Sequence, residues 1–215
     1  MVATALPPPR VFLLSPARLD GARARMLFEP RTMFPLAAQL RSREGVRLGE
    51  VFRFVSGLYF RGKLAYGERF ARPPGEAPWL GSGALCITQS RGLVPVETRI
   101  CLEHLDEFSQ VDVNVREKGF VGPLVRDARA LGETLGPDGQ VIMLGSIASP
   151  KYVEPLLGAL GQRLYFPTDF VGRGDMSRGG LMLRMVEAGT ELAYGLVDGA
   201  VRKGTRPPRL PRRRA

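Results

Sequence analysis

The chain has 215 residues, of which 44% are hydrophobic, and this is enough for one domain with a packed core. No apolar run approaches the roughly 20 residues of a membrane-spanning helix, so we expect no membrane partner. The N-terminal sequence MVATALPPPR lacks the basic start and apolar core of a signal peptide, and we predict a cytoplasmic protein.

The net charge of +10 is concentrated at the C-terminus. Residues 202–215 are proline-rich and basic and can bury little apolar surface, so we predict a disordered tail there. A flexible arm over residues 1–10 and a single domain over residues 11–201 precede it. Such a tail either binds the phosphates of a nucleic acid or serves only solubility. Its basic residues are Arg202, Lys203, Arg206, Arg209, Arg212, Arg213 and Arg214.

Short apolar runs alternate with helical patterns in the first half of the chain. VFLLS (11–15) predicts the first strand, and GARARMLF and MFPLAAQLRSREG predict two helices, the second with Pro35 in its first turn. The stretch from Leu48 to Ala71 has apolar residues at helical spacing, and its glycines leave open whether it forms one helix or two. ALCITQ (84–89) predicts the second strand, and RGLVPVETRI is expected to be an irregular link.

The second half continues the alternation. LEHLDEF and VGPLVRDARALGETLG predict helices, QVIMLGS (140–146) the third strand and RLYFP (163–167) the fourth. Between these strands, Ser149 is the expected N-cap and Pro150 the first residue of another helix. A last helix is predicted from Ser177 to Glu187. The pattern indicates an α/β domain with a mostly parallel central sheet of about four or more strands and helices on both faces.

Small, polar and basic residues follow each predicted strand, in the segments SPAR, TQSRG, GSIASPK and PTDFVGRGD. Because the carboxyl ends of parallel strands share one edge of a sheet, we expect these segments to form one crevice. The helix start after GSIASPK attracts phosphate, and arginine side chains bind phosphate oxygens. The predicted ligand-binding residues are Ser15, Arg18, Ser90, Arg91, Gly145, Ser146, Lys151, Gly172, Arg173, Gly174, Ser177 and Arg178.

The segment DFVGRGDMSRGGLMLR (169–184) combines four glycines with charged residues. The glycines would let the backbone approach a ligand closely, and Ser177 could cap the helix that follows. The spacing matches neither a Walker loop nor a dinucleotide-binding fingerprint. The alternative is a glycine-rich turn in which Arg173 and Asp175 only pair with each other.

Few residues are suited to metal binding or nucleophilic catalysis. One histidine, His104, and two cysteines, Cys86 and Cys101, are too few soft ligands for a zinc site, so we predict no metal and no cofactor. We expect the cysteines to be buried free thiols and His104 to be structural or solvated. The remaining candidates for a general base or nucleophile are carboxylates, first Asp169 and Asp175 and then Glu97 and Asp112. A carboxylate beside a sugar suits the cleavage of an N-glycosidic bond on a nucleotide or a flipped base.

Two stretches carry a family resemblance. FLLSPARL (12–19) resembles the SPAK start of the peroxide-stress-response YaaA family. GLYFRGKLAYGERFA (57–71) with CITQSRGLVPVETRI (86–100) is similar to small bacterial and phage domains of unknown function, in which an LY…FRKA helix precedes a strand and a YGLL-P turn. The resemblance implies DNA binding and a role in the stress response. Arg18 replaces the lysine of SPAK and Arg91 the tyrosine of the turn, and no catalytic residue is transferred.

Together these observations predict a nucleic-acid-associated protein whose crevice accepts a nucleotide or an extruded base. The alternative is an enzyme whose partner is a phosphorylated small molecule. It would act on a nucleotide, nucleoside or sugar phosphate by N-glycosidic transfer or hydrolysis, and its crevice would be complete without the tail.

Overall fold

The computed structural model describes residues 7–208 and residue 210. In this part of the chain, eight strands form a sheet of six strands and a separate pair. In chain order the strands are β1 (Arg10–Leu14), β2 (Val46–Arg47), β3 (Ala84–Ile87), β4 (Leu93–Pro95), β5 (Arg99–Ile100), β6 (Gln140–Leu144), β7 (Leu164–Pro167) and β8 (Tyr194–Leu196).

The four strands predicted from the sequence form the parallel centre of the main sheet. Its order is β4–β3–β1–β6–β7–β8, with β1 parallel to both β3 and β6 and β6 parallel to β7. Leu14 is level with Cys86 on one side and with Leu144 on the other, so β1, β3 and β6 end at one height. The structure confirms the predicted α/β domain with a mostly parallel sheet and helices on both faces.

The link from Arg91 to Ile100, predicted to be irregular, contains two short strands. β4 pairs antiparallel with β3 at the edge of the main sheet, and β5 pairs antiparallel with β2. Pro95, which has no N–H to donate, is tolerated because β4 is an edge strand. Strands of two and three residues leave too short a pattern to predict, which is why the sequence did not show them.

Each predicted helix is present, but the second ends at Leu40, and residues 41–45 of its predicted stretch form turns that lead to Gly45 at a φ of +62°. In chain order they are α1 (Ala22–Phe28), α2 (Pro35–Leu40), α3 (Leu48–Ser56), α4 (Leu58–Phe70), α5 (Leu102–Ser109), α6 (Lys118–Leu135), α7 (Pro150–Leu160) and α8 (Asp175–Ala188). The stretch from Leu48 to Ala71, predicted to form one helix or two, forms two helices. Gly57 separates α3 from α4 with a φ of +64°. Ser149 caps α7 through the backbone N–H of Lys151, as predicted.

Alternate residues of the strands face two hydrophobic layers. Phe12 and Leu14 of β1 point to the face covered by α3, α4 and α8, and Val11 and Leu13 point to the face covered by α6 and α7. All four side chains have no exposed surface. Each contributes about 1.5–3 kcal/mol by its burial, so β1 anchors both layers.

Helices α4 and α8 touch through their backbones. A Cβ atom on Gly62 would lie 2.6 Å from the carbonyl oxygen of Gly179, and one on Gly179 would lie 2.8 Å from the carbonyl oxygen of Leu58. Gly179 belongs to the glycine-rich segment, and this contact explains its presence by helix packing. The close approach brings the first turn of α8 beside the middle of α4.

Substitution of Gly179 by alanine should separate the two helices and lower the free energy of unfolding by about 1–3 kcal/mol. Gly158→Ala is the matched control, because a Cβ atom at this exposed helical position would meet nothing within 4 Å. The control should gain about 0.5–1 kcal/mol from the better helix propensity of alanine. Urea denaturation measures both changes, and equal stability of the two variants would show that the helices do not depend on this contact.

Candidate functional site at the carboxyl ends of the strands

A crevice of about 510 Å³ lies at the carboxyl end of the parallel sheet. Ser15 follows β1, Ser146 follows β6, Lys151 lies in the first turn of α7, and Asp175 begins α8. The sheet continues from β1 to β3 on one side and from β6 to β7 on the other. This reversal of the winding direction is where open α/β sheets bind ligands, and the volume suits a small molecule.

A second cavity of about 440 Å³ adjoins the first and shares Arg18, Asp20 and Lys151 with it. It extends to Gln89, which follows β3. The Oε1 atom of Gln89 is buried and has no hydrogen-bond partner among the described residues, whereas its Nε2 atom donates to the carbonyl oxygen of Ala17 at 3.4 Å. A buried acceptor without a partner is costly, and a ligand donor in this cavity would satisfy it.

Lys63 of α4 lies at the base of the crevice with only 1% of its surface exposed. Its Nζ atom is 2.6 Å from the carbonyl oxygen of Ser15 and 2.9 Å from Ser15 Oγ. The rings of Tyr59 and Phe60 lie on its other sides, with Nζ 4.4 Å and 4.9 Å from their centroids. The amine is therefore enclosed by one serine and two aromatic rings.

The surroundings of Lys63 favour its neutral form. Burial lowers the pKa of Lys63 to about 7, and the nearby Asp175 and Arg178 act on it in opposite directions. Burial also raises the pKa of Cys86 above its usual range, so this neighbouring thiol stays neutral and supplies no counter-charge. At neutral pH Lys63 can thus both donate and accept a proton.

Tyr59 lines the crevice beside Lys63, and Arg178, which does not line it, lies close to both residues. The hydroxyl of Tyr59 is buried without a hydrogen-bond partner among the described residues, and burial raises its pKa, so it keeps its proton. Arg178 is also buried and donates from Nε and Nη2 to the carbonyl oxygen of Phe170. Its Nη1 atom is 3.4 Å from Asp175, which compensates part of the buried charge.

Five of the predicted site residues line this crevice: Ser15, Arg18, Ser146, Lys151 and Asp175. Gly145 lies directly beneath it, because a Cβ atom there would be 3.2 Å from Ser15 Oγ. Arg18 is highly exposed and pairs with Asp20, so its charge is already compensated when no ligand is bound.

The second predicted strand end turns away from the crevice. Ser90 donates to Glu107 Oε1 at 2.6 Å, and Arg91 forms a bidentate ion pair with the same carboxylate. Glu107 belongs to α5, so these two side chains link the strand end to that helix. Within the same loop, Gln89 lines the second cavity, whereas Ser90 and Arg91 are held by α5.

Most of the glycine-rich segment (169–184) also lies outside the crevice, which it lines only through Asp175. Arg173 donates to the carbonyl oxygens of Asp169 and Pro208 and to Ser177 Oγ, and it does not pair with Asp175. Gly172 has a φ of +72°, and a Cβ atom there would lie 2.1 Å from the carbonyl oxygen of Thr205. The backbone that approaches this glycine is therefore the C-terminal segment of the chain itself.

Helix α8 starts two residues earlier than predicted. Gly174 is its N-cap and Asp175 its first residue, so Ser177 lies inside the first turn and does not cap it. Asp175 favours this start because a carboxylate is stabilised at the N-terminus of a helix. Asp169, the other predicted catalytic carboxylate, is exposed on the preceding turn.

The remaining candidates are spread over the molecule. Asp112 lines the second cavity, and Glu97 accepts from the backbone N–H of Ser82 at 3.3 Å. Cys101 is half-buried, and its Sγ atom lies 2.8 Å from Nδ1 of His104 in the capping box of α5. The histidine thus has a structural contact, and both cysteines are free thiols.

The basic tail is described in part. Residues 204–208 and 210 lie along the turn before α8, where Arg206 and Leu210 line a small groove with Arg173, Met176 and Ser177. Arg202 and Lys203 are exposed. Arg209, Arg212, Arg213 and Arg214 lie outside the described residues, and the predicted disorder of the tail stays a prediction.

Sequence reasoning missed Lys63 and Tyr59. Lys63 lies among residues at helical spacing that are buried in α4, such as Tyr59, Phe60 and Tyr66. A single lysine on the apolar face of an amphipathic helix was the available signal, because such a position is seldom occupied by an unpaired charge.

Two further findings concern the described residues. Within residues 7–208 and 210, no group of three or more histidine, cysteine or acidic side chains could hold a metal ion. None of the helices in this part of the chain is long and apolar enough to cross a bilayer. Comparison with models of protein families, with curated proteins and with solved structures gives no match.

Replacement of Lys63 by methionine tests the burial of the amine. The pKa of this group falls from 10.5 to about 7 on folding, so the unfolded chain binds more protons between these values and the wild type gains stability as the pH rises. Relative to Lys63→Met, its free energy of unfolding should rise by about 1.4 kcal/mol per pH unit between about pH 7 and pH 9. Urea denaturation across this range measures the difference, and parallel curves would refute the lowered pKa.

Proposed function

We propose that this protein associates with nucleic acid and holds a nucleotide phosphate in the crevice. The observation that carries the proposal is the meeting of Ser15, Ser146 and Lys151 on one cavity beside the first turn of α7. The positive end of the helix dipole favours an anion at that position. A lysine in the same turn adds a full positive charge.

The charge distribution supports a polyanionic partner. The chain carries 31 basic and 21 acidic residues, and the excess is greatest in the segment after residue 201. Nucleic-acid binding through such residues proceeds by counterion release and needs no base-specific contact. The resemblance of Phe12–Leu19 to the YaaA family, which is associated with DNA binding, agrees with this proposal.

A second candidate is an enzyme that acts on a nucleotide, nucleoside or sugar phosphate. The contact between Ser15 and Lys63 favours it, because an amine with a pKa near 7 beside a hydroxyl is an arrangement for proton transfer. Asp175 is the carboxylate of the crevice that N-glycosidic chemistry would use, although it is exposed and paired with Arg178. Binding of a mononucleotide without affinity for an oligonucleotide would favour this candidate.

Lys151→Gln should weaken binding of AMP and of a single-stranded DNA oligonucleotide by about tenfold, because one charge-assisted hydrogen bond to phosphate is lost. Arg129→Gln is the matched control, since it removes one positive charge from an exposed position on α6. Fluorescence anisotropy with labelled ligands measures both. If the two variants bind alike, the crevice is not the phosphate site.

Replacing the seven basic residues of 202–215 by glutamine should make oligonucleotide binding less sensitive to salt. The backbone is kept because Thr205 covers Gly172. Each lost phosphate contact should reduce the slope of log K against log salt by about 0.7 for a single strand. An unchanged slope would assign the tail to solubility and leave AMP binding in the crevice as the separate test of the site.

A further inference from the structure

We propose that Ser15 is a nucleophile toward phosphorus and that Lys63 is its general base. The proposal rests on the phosphate site described above and names the reaction that this site would support. Its substrate class is a phosphate ester bound with its phosphoryl group at the first turn of α7.

The hydrogen bonds of the pair fit proton transfer. A neutral lysine amine has two N–H donors and one lone pair. In the structure Nζ donates to the carbonyl oxygen of Ser15 at 2.6 Å and to Ser15 Oγ at 2.9 Å. In the neutral form one N–H can keep the carbonyl contact while the lone pair accepts the hydroxyl proton of Ser15. The carbonyl contact holds the amine within hydrogen-bond distance of the hydroxyl.

The groups around Lys63 keep the amine available as a base. Asp175 and Arg178 face it from α8, neutral Cys86 faces it from β3, and the ring of Tyr59 covers it within α4. The two charged groups oppose each other, so burial decides the protonation state. A salt-bridged lysine would remain an ammonium and could not take a proton.

The position of Ser15 favours a phosphoryl group as the electrophile. Gly145 has no side chain, and a Cβ atom there would lie 3.1 Å from Cβ and 3.2 Å from Oγ of Ser15. The chain runs from this glycine through Ser146 to the capped start of α7, and Ser146 and Lys151 line the same cavity as Ser15. A phosphate bound at that helix start therefore lies against the serine hydroxyl.

The reaction has two steps. Ser15 Oγ forms a bond to phosphorus while the bond from phosphorus to the ester oxygen breaks, and the hydroxyl proton passes to Lys63 and then to the departing alkoxide. Water next attacks the phosphoserine, its proton passes to Lys63, and the amine returns a proton to Ser15 as the serine–phosphorus bond breaks. The sum is hydrolysis of a phosphate ester, with no oxidant or reductant.

An alkyl fluorophosphonate probes the nucleophile directly, because its reaction forms the same oxygen–phosphorus bond and releases fluoride. We expect one label per chain, located at Ser15 by peptide mass spectrometry. Its rate should rise about tenfold per pH unit below about pH 7 and level off above it, following the free base. Bound AMP should protect Ser15 from the label.

Single substitutions test the roles of Ser15 and Lys63 separately. Ser15→Ala should abolish labelling, and Lys63→Met should slow it by about 100-fold or more. Ser42→Ala and Lys118→Met are the matched controls at positions away from the crevice and should label like the wild type. If Lys63→Met does not fold, the pH profile of the wild type decides, and a rate independent of pH overturns the role of Lys63.

The outcome distinguishes this inference from the proposed function. Wild-type protein that binds AMP but leaves Ser15 unlabelled overturns the nucleophile and retains the phosphate site. Labelling of Ser15 in protein that does not bind AMP supports the pair and overturns the phosphate site, and with it the phosphate-ester substrate.

Discussion

The crevice depends on the backbone contact between α4 and α8. Gly62 and Gly179 let the helices approach until a Cβ atom on either would overlap the other chain segment. At this spacing Asp175 and Arg178 lie close enough to act on Lys63 and Tyr59. Gly179, which the sequence places in a glycine-rich segment, is thus a requirement of close helix packing.

The interior of the site contains buried polar groups that do not stabilise the fold. Three buried polar groups lie in one corner of the domain: the amine of Lys63, the guanidinium of Arg178 and the hydroxyl of Tyr59. Among the described residues, the amine has no carboxylate partner and the hydroxyl has no hydrogen-bond partner. Each such group opposes folding unless it is compensated. The two extensive hydrophobic layers on either side of β1 supply the stability that permits this arrangement.

The sheet and helices could be predicted because their signals are local. VFLLS and QVIMLGS are apolar over the length of a buried strand, and Ser149 with Pro150 marks a helix start. The site was predicted only in part. The meeting of Ser15, Ser146 and Lys151 follows from strand topology, because all three lie beyond the carboxyl ends of parallel strands. The partners of Arg91 and Arg173 depend on tertiary contacts, which the sequence pattern does not show. Lys63 was missed because its contact with Ser15 and its proximity to Asp175 and Arg178 are tertiary, and no local pattern connects α4 to these residues.

Two neighbouring residues of α4 make the two contacts described above: Gly62 packs against α8, and Lys63 contacts Ser15. Successive residues of an α-helix point about 100° apart, so one faces the neighbouring helix while the next faces the strand end. Insertion of one residue of α4 before Gly62 would turn Gly62 towards Ser15, and loss of one residue there would turn Lys63 towards α8. The number of residues in α4 ahead of Lys63 is therefore constrained by both contacts.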